Sequence, residues 1–189
     1  MAAPASKTIA DLSGKWRLNK SLSDNTDPAL QLQGISWLTR KIIANATVNL
    51  TVKQYTDANG IVHIEIDQEA SGVPGGGSHE HRTLDFQERE LTDRVFGTIR
   101  GQTKFVSTEE IAIVLAEKSL PGLEHLAADW IAEEKNHVFN HVRSVADGWT
   151  ATQVWGFQIV GGERRYVRNV VVAKGDESQK FKMVYDFVE

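Results

Sequence analysis

The stretch 149–173, WTATQVWGFQIVGGERRYVRNVVVA, decides the fold. Two long runs flank Gly161-Gly162, a dipeptide suited to a tight hairpin turn. In the first run Trp149, Ala151, Gln153, Trp155, Phe157 and Ile159 fall on one side of a strand and make its expected inner set. In the second, Tyr166, Arg168, Val170 and Val172 share one face and Val167, Asn169 and Val171 the other. A period of two fixes this alternation but leaves open which face of the second run looks inward. If it is the first, Arg168 is a cation in the interior and needs a partner or a polar ligand.

Outward from there the same pattern repeats. His137 to Val145 reads as a strand turned by Ala146-Asp147-Gly148, and Lys174 to Ser178 turns the chain into a last strand, Gln179 to Val188. On that last strand Phe181, Met183, Tyr185 and Phe187 form one face. Upstream, Val48, Leu50 and Val52 alternate with polar residues, Asp57-Ala58-Asn59-Gly60 makes a hairpin, and Val62, Ile64 and Ile66 alternate on the return. Ser71 to Ser78 is Gly-rich and expected to be flexible. Arg82, Leu84 and Phe86 open a further strand, and Arg94 to Val106 reads as a strand pair about Arg100-Gly101.

Helical signals interrupt the strands twice. After a strand at Leu12 to Leu18, Asp27-Pro28 starts a short helix over Pro28 to Gln33 that Gly34 ends. Ser36 caps a second, Trp37 to Asn45, whose Ile35, Leu38 and Ile42 make one stripe. Later, Ser107-Thr108-Glu109-Glu110 has the form of a capping box, although Ile111 to Leu115 is equally good strand material. Leu123, Leu126, Ala127, Trp130 and Ile131 have helical spacing after Pro121-Gly122, which leaves His125 at the surface. The expected architecture is mainly all-β: an up-and-down antiparallel barrel of about ten strands, since closure removes exposed edges. It carries a short helix pair near the N-terminus and a helical insertion around 107–136. Residues 1–10 are expected to be a flexible arm and 11–189 a single barrel domain.

Composition narrows the function. The chain has 189 residues, a net charge of −4 and no Lys/Arg run, so nucleic acid is a poor partner. It has no cysteine, which excludes disulfides, thiolate nucleophiles and Cys-based metal sites. It shows no signal peptide and no apolar run long enough for a membrane span, and the expected location is cytoplasmic. No nucleotide-binding or nucleophile-elbow motif is present, and no cofactor is expected. His79-Glu80-His81 with Asp85 has ligand spacing for a cupin-like metal site. The second cupin motif is missing, however, and His81 and Asp85 lie opposite Leu84 and Phe86. Association as a homodimer is left open.

Gly14-Lys15-Trp16-Arg17-Leu18, followed by the helix pair across Asp27 to Ala46 with Thr39-Arg40-Lys41-Ile42-Ile43, resembles the intracellular lipid-binding (fatty-acid-binding) proteins of the calycin superfamily. The likeness is best over 11–106. It implies a ten-stranded barrel with the helices as a lid, and Trp37 and Leu38 near the portal. Many members hold a ligand carboxylate with an Arg-x-Tyr pair on the last strand. Tyr185 matches the tyrosine, but Met183 stands at the arginine position. The insertion at 107–136 is a second departure. Gly148 to Phe157 with Glu163-Arg164-Arg165-Tyr166 is similar to lipocalin-like fungal proteins of natural-product pathways, some resembling cofactor-free cyclases.

The candidate ligand-binding residues are therefore Trp155, Gln153, Phe157, Met183, Phe181, Trp37 and Leu38, for a flat, largely apolar ligand. The alternative for the interior residues is a plain packed core. Tyr185, Arg168, His141 and Tyr166 are the candidate catalytic groups, because a Tyr or His in a dry pocket can move a proton if its pKa shifts toward neutrality. The reading is a cofactor-free cyclase or isomerase for an aromatic polyketide or terpenoid in fungal natural-product biosynthesis, for example closing a ring by intramolecular hydroalkoxylation. A passive fatty-acid or lipid carrier is the alternative, and a cupin-like metalloenzyme the third reading.

Overall fold

The computed structural model describes residues 1–72 and 76–189. Ten strands form one antiparallel sheet: β1 (Gly14–Leu18), β2 (Val48–Thr56), β3 (Val62–Ala70), β4 (Gly77–Thr83), β5 (Arg89–Asp93), β6 (Gly97–Ser107), β7 (Asn136–Ser144), β8 (Trp149–Val160), β9 (Glu163–Lys174) and β10 (Glu177–Phe187). Their order is β4-β3-β2-β1-β10-β9-β8-β7-β6-β5, so the last strand closes back onto the first and the sheet curls into a nearly closed barrel. Among the described residues no ladder joins β4 to β5. The chain crosses there through the Phe86 N–H, which donates to Thr103 O at 2.9 Å.

Local chemistry sets the register. Gly161 and Gly162 both adopt positive φ, 61° and 79°, the conformation a two-residue hairpin needs, and this pairs Val160 with Glu163 and Trp155 with Arg168. In β1, a Cβ on Gly14 would come within 2.9 Å of Glu189 O and the Phe187 ring, so only glycine lets the chain ends cross there. Trp16 is then sealed in the core, its indole N–H donating to Leu12 O at 2.9 Å.

The helix pair is α1 (Asp27–Leu32) and α2 (Trp37–Asn45). Asp27 does not cap α1 but lies in its first turn, where its carboxylate takes the Arg40 guanidinium at 3.0 Å and ties α2 to α1. Of the apolar stripe expected on α2, Ile35 just before the helix is buried, Ile42 is half-buried and Leu38 is exposed. The insertion forms α3 (Thr108–Glu117) and α4 (Leu123–Leu126). Ser107 and Glu110 complete the capping box, and Ile111, Val114 and Leu115 point one buried stripe at Phe139, Val154 and Val171. Those three lie on the outer face of β7, β8 and β9, so this wall of the barrel is covered on both sides.

Several expectations change. Residues 1–10 do not hang free: Ala3 and Ile9 are buried, and the Gln54 amide donates to Ile9 O and Ala10 O at 3.0 Å, drawing the arm across one barrel end. Part of the Gly-rich stretch, 73–75, lies outside the described residues, but its end belongs to β4, which runs from Gly77 to Thr83. Phe86 is not in that strand: its φ is +61° and its ring packs outside against Phe139. The pair expected over 94–106 is β5 with β6, turned at Asp93, whose carboxylate accepts the N–H groups of Val95 and Phe96. The spacing of Leu126 to Ile131 overstated the helix, because Asp129 takes φ +63° and stops it. His125 is half-buried, with Nε2 at 3.0 Å from Phe181 O. Ile159 is 59% exposed, being at the strand end beyond the core. No helix among the described residues is long and apolar enough to cross a membrane.

Candidate functional site

The register places the open question of β9. Tyr166 stands between Phe157 and Tyr185, and Arg168 between Trp155 and Met183. All six side chains lie on the inner face, with Arg168 7% exposed. Apolar layers close the interior above and below. Trp149, Ala151, Val172 and Phe181 pack against Ala29 of α1, and Leu12, Trp16, Leu50 and Phe157 pack toward the arm. Met183 touches both layers. Arg168 is thus held at mid-height.

Its guanidinium lies over the Trp155 ring at 4.0 Å, within reach of a cation–π contact, and is 5.2 Å from the Tyr185 ring. Its Nε–H donates to Tyr166 Oη at 2.9 Å. Its Nη2 is buried with no hydrogen-bond partner among the described residues. The Trp155 indole N–H donates to Gln153 Oε1 at 2.8 Å, which locks the ring that the cation lies on. Tyr185 O–H reaches only Met183 Sδ, at 3.6 Å, a weak acceptor.

Two further groups enter from β4. Glu80 is registered with Ile66 and Arg82 with Ile64, both core residues, so the pair also faces inward. Arg82 donates to Glu80 and lies 5.4 Å from the same Trp155 ring, while its Nε is buried with no partner among the described residues. Glu80 and Arg82 keep 29% and 17% of their side-chain surface water-accessible although they face inward. Burial opposes ionisation of Glu80, but Arg82 and Arg168 outweigh it and hold the carboxyl below its usual range. Sequence reasoning missed this pair. The available signal was parity: Arg82 and Glu80 share their face with Leu84, which packs on the core.

The candidates divide accordingly. Tyr185, Tyr166 and Arg168 come together, with Trp155, Gln153, Phe157, Met183 and Phe181 on the same inner face. His141 does not join them. On β7 the inner residues are Val138, Asn140 and Val142, so His141 projects outward, where its Nδ1 meets Thr152 Oγ1 at 3.0 Å. The tyrosines also differ from expectation. Burial pushes both phenols above their usual range, so they remain protonated donors and are unsuited as bases near neutrality. Trp37 and Leu38 are 65% and 63% exposed on the first turn of α2. A groove of about 330 Å³ beside the end of α2, lined by Lys41, Ile42, Asn45 and Ser71, is open surface and contains none of the interior polar groups.

His79 and His81 face outward. His79 bonds Asp67 at 2.7 Å, His81 meets His63 at 3.0 Å, and Asp85 is clasped by Arg89, which brings its carboxyl down to about 2. Among the described residues no group of three or more His, Asp or Glu converges as a metal set. The spacing of His79, His81 and Asp85 is therefore that of an outer strand face and its ion pairs.

No protein-family model matches the chain. It is 31% identical to the probable pericyclase scpY of Mollisia scopiformis, over 99% of this chain and 95% of that protein. It is 27% identical to the pericyclase pydY of Acremonium sp, over 100% and 97%. Among solved structures it is similar to the fluorescent protein UnaG (TM-score 0.55, 14% identity, 94% of this chain and 97% of that one). It is equally similar to fatty-acid-binding protein 1 of Echinococcus granulosus (TM-score 0.55, 12% identity, 94% and 98%). The structural likeness concerns the fold.

Proposed function

Since this chain belongs to the family of the probable pericyclase scpY, we propose that it is a cofactor-free cyclase or isomerase that closes rings in a hydrophobic natural-product precursor held inside the barrel. The substrate class proposed is an unsaturated polyketide or terpenoid, and the site of action the cytoplasm. The observation that carries the reading is Arg168, a guanidinium over Trp155 and beside Tyr166 and Tyr185, with a hydrogen-bond donor that has no partner among the described residues.

A concerted ring closure moves electrons within one molecule and needs no external oxidant or proton donor. The protein has two tasks. It must hold a floppy chain in its reactive fold, which can be worth several kcal/mol. It must also stabilise charge that shifts onto an oxygen as bonds reorganise. The rings of Trp155, Phe157, Tyr166 and Tyr185 provide the rigid wall, and Arg168 with the two phenol O–H groups provides donors for such an oxygen. Where closure adds an O–H across an alkene, Glu80, held ionised, takes the hydroxyl proton and returns it to carbon, while the two phenols, kept protonated by burial, serve as hydrogen-bond donors. The carrier reading rests on likeness of fold, which is weak support for function.

The test is incubation of the purified protein with linear precursors bearing conjugated alkenes, followed by chiral chromatography with mass detection. Conversion to an isomer of unchanged mass and single handedness is expected. Arg168→Met and Trp155→Ala should lower kcat at least about 100-fold, on the scale of losing a main oxyanion donor. His141→Gln should turn over normally. Tight binding of the precursors with no conversion above the uncatalysed rate would establish a carrier instead.

A further inference from the structure

Resting on the reading of the barrel as a site for one small molecule, we infer that the ligand carries an acidic oxygen function, a carboxylate or an enolised 1,3-dicarbonyl, which Arg168 and Arg82 hold together above the indole of Trp155.

Three observations support this. First, both guanidiniums converge on one ring: Arg168 lies 4.0 Å and Arg82 5.4 Å from Trp155, although they come from strands at opposite sides of the barrel, β9 and β4. Second, the interior charge is unbalanced. Glu80 answers Arg82, and Arg168 has only the neutral Tyr166 oxygen, so one positive charge is in excess. A buried cation of this kind is costly unless an anion answers it. Third, the free hydrogen-bonding capacity is mostly of one type. Arg168 Nη2 and Arg82 Nε have no partner among the described residues, and Tyr185 O–H has only a thioether. The free acceptor on the inner face is Asn140 Oδ1, next to Gln153 in the adjoining pair. An interior cluster rich in donors and carrying one spare positive charge suits an anionic oxygen pair, and a planar guanidinium fits the two oxygens of either acid side by side.

The position is informative as well. The last strand lacks the cation that would precede Tyr185 by two residues, having Met183 there. Arg168 is registered directly opposite Met183, so the charge comes from the neighbouring strand. An acid held there lies at mid-height between the two apolar layers. The rest of the molecule then extends beneath the lid past Phe181 and Trp149.

Binding of two matched probe pairs to the full chain tests the inference by calorimetry. One pair is 11-(dansylamino)undecanoic acid and its methyl ester. The other is 2-dodecanoylcyclohexane-1,3-dione and its enol methyl ether. At least one acid should bind about tenfold or more tightly than its neutral ether or ester, the usual scale for a charge-assisted hydrogen bond in a dry site. Which acid shows the larger preference assigns the carboxylate or the enol. Arg168→Met should reduce that preference to less than about threefold while the neutral probes bind as before, and Arg168→Lys, which retains charge but not the fork, should fall between. Circular dichroism and thermal unfolding check the fold of each variant. If acids and neutral forms bind equally well, or the preference survives in Arg168→Met, the inference is overturned while the barrel remains a ligand site. If none of the four probes binds, the barrel reading fails with it.

Discussion

Lowering the pH from 7 to 5 should destabilise this protein through two histidines on the outer face of β7. His137 is fully buried, with Nε2 at 3.0 Å from Thr108 Oγ1 and its ring 4.8 Å from that of Trp130. His141 is half-buried beside Thr152, with Lys118 and Arg143 near it. Burial is the main cause that brings each imidazole from 6.5 down to about 4, and at His141 the Lys118 charge adds to it. As the pH falls, the unfolded chain takes up these protons near 6.5, while the folded protein excludes them until about 4. Stability is therefore whole above 6.5 and is lost through the window from 6.5 to about 4. At pH 5 the loss is about 2 kcal/mol per ring, and about 4 kcal/mol for two independent rings. Urea unfolding followed by tryptophan fluorescence measures it. With a slope of about 2 kcal/mol/M, the midpoint should drop by about 2 M between pH 7 and pH 5. A variant carrying His137→Gln and His141→Gln should lose most of this pH dependence. If its midpoint falls as far as that of the unaltered protein, or if both rings titrate near 6.5 by NMR, the reasoning is wrong.

Three further outcomes follow from the packing. A methyl group at Gly156 would stand 2.8 Å from His137 Nδ1 and from Trp130 Cε3, so Gly156→Ala should cost about 1–3 kcal/mol in urea unfolding without altering binding of the neutral probes inside the barrel. Ser107→Ala removes one half of the capping box and should cost about 1 kcal/mol, with faster hydrogen exchange confined to α3. Trp37→Ala with Leu38→Ala should leave the unfolding midpoint within about 0.5 kcal/mol of the parent, because both side chains are already in water.

Where one strand face meets water, the sequence was readable. Val48 to Ile66 shows a period of two and forms β2 and β3 with Leu50, Val52, Ile64 and Ile66 in the core. The glycine hairpin at 161–162 and the paired helices α1 and α2 were equally plain. The signal failed where α3 and α4 cover the outside of the barrel. Val167 and Val171 are as buried on the outer face as Tyr166 and Val170 are on the inner, so hydrophobicity could not tell which way Arg168 points. The same cause misplaced His141: β7 buries Phe139 and His137 outside and Val138 and Asn140 inside, and only its register with β8 separates the two sets. Glu80 and Arg82 were hidden for another reason. The inward positions of their strand, Ser78, Glu80 and Arg82, are all polar and it follows a glycine run in the sequence, so it carries no apolar alternation to read.

The helical cover divides the barrel mechanically. Strands β7 to β9 are braced from outside and carry Trp155, Tyr166 and Arg168 as a fixed anvil. Strands β2 to β5 form a single-ply wall, and among the described residues no ladder closes the seam beside β4, which bears Glu80 and Arg82. Any swelling needed to admit a guest falls on the thin side, and so does any redesign meant to accept a bulkier one.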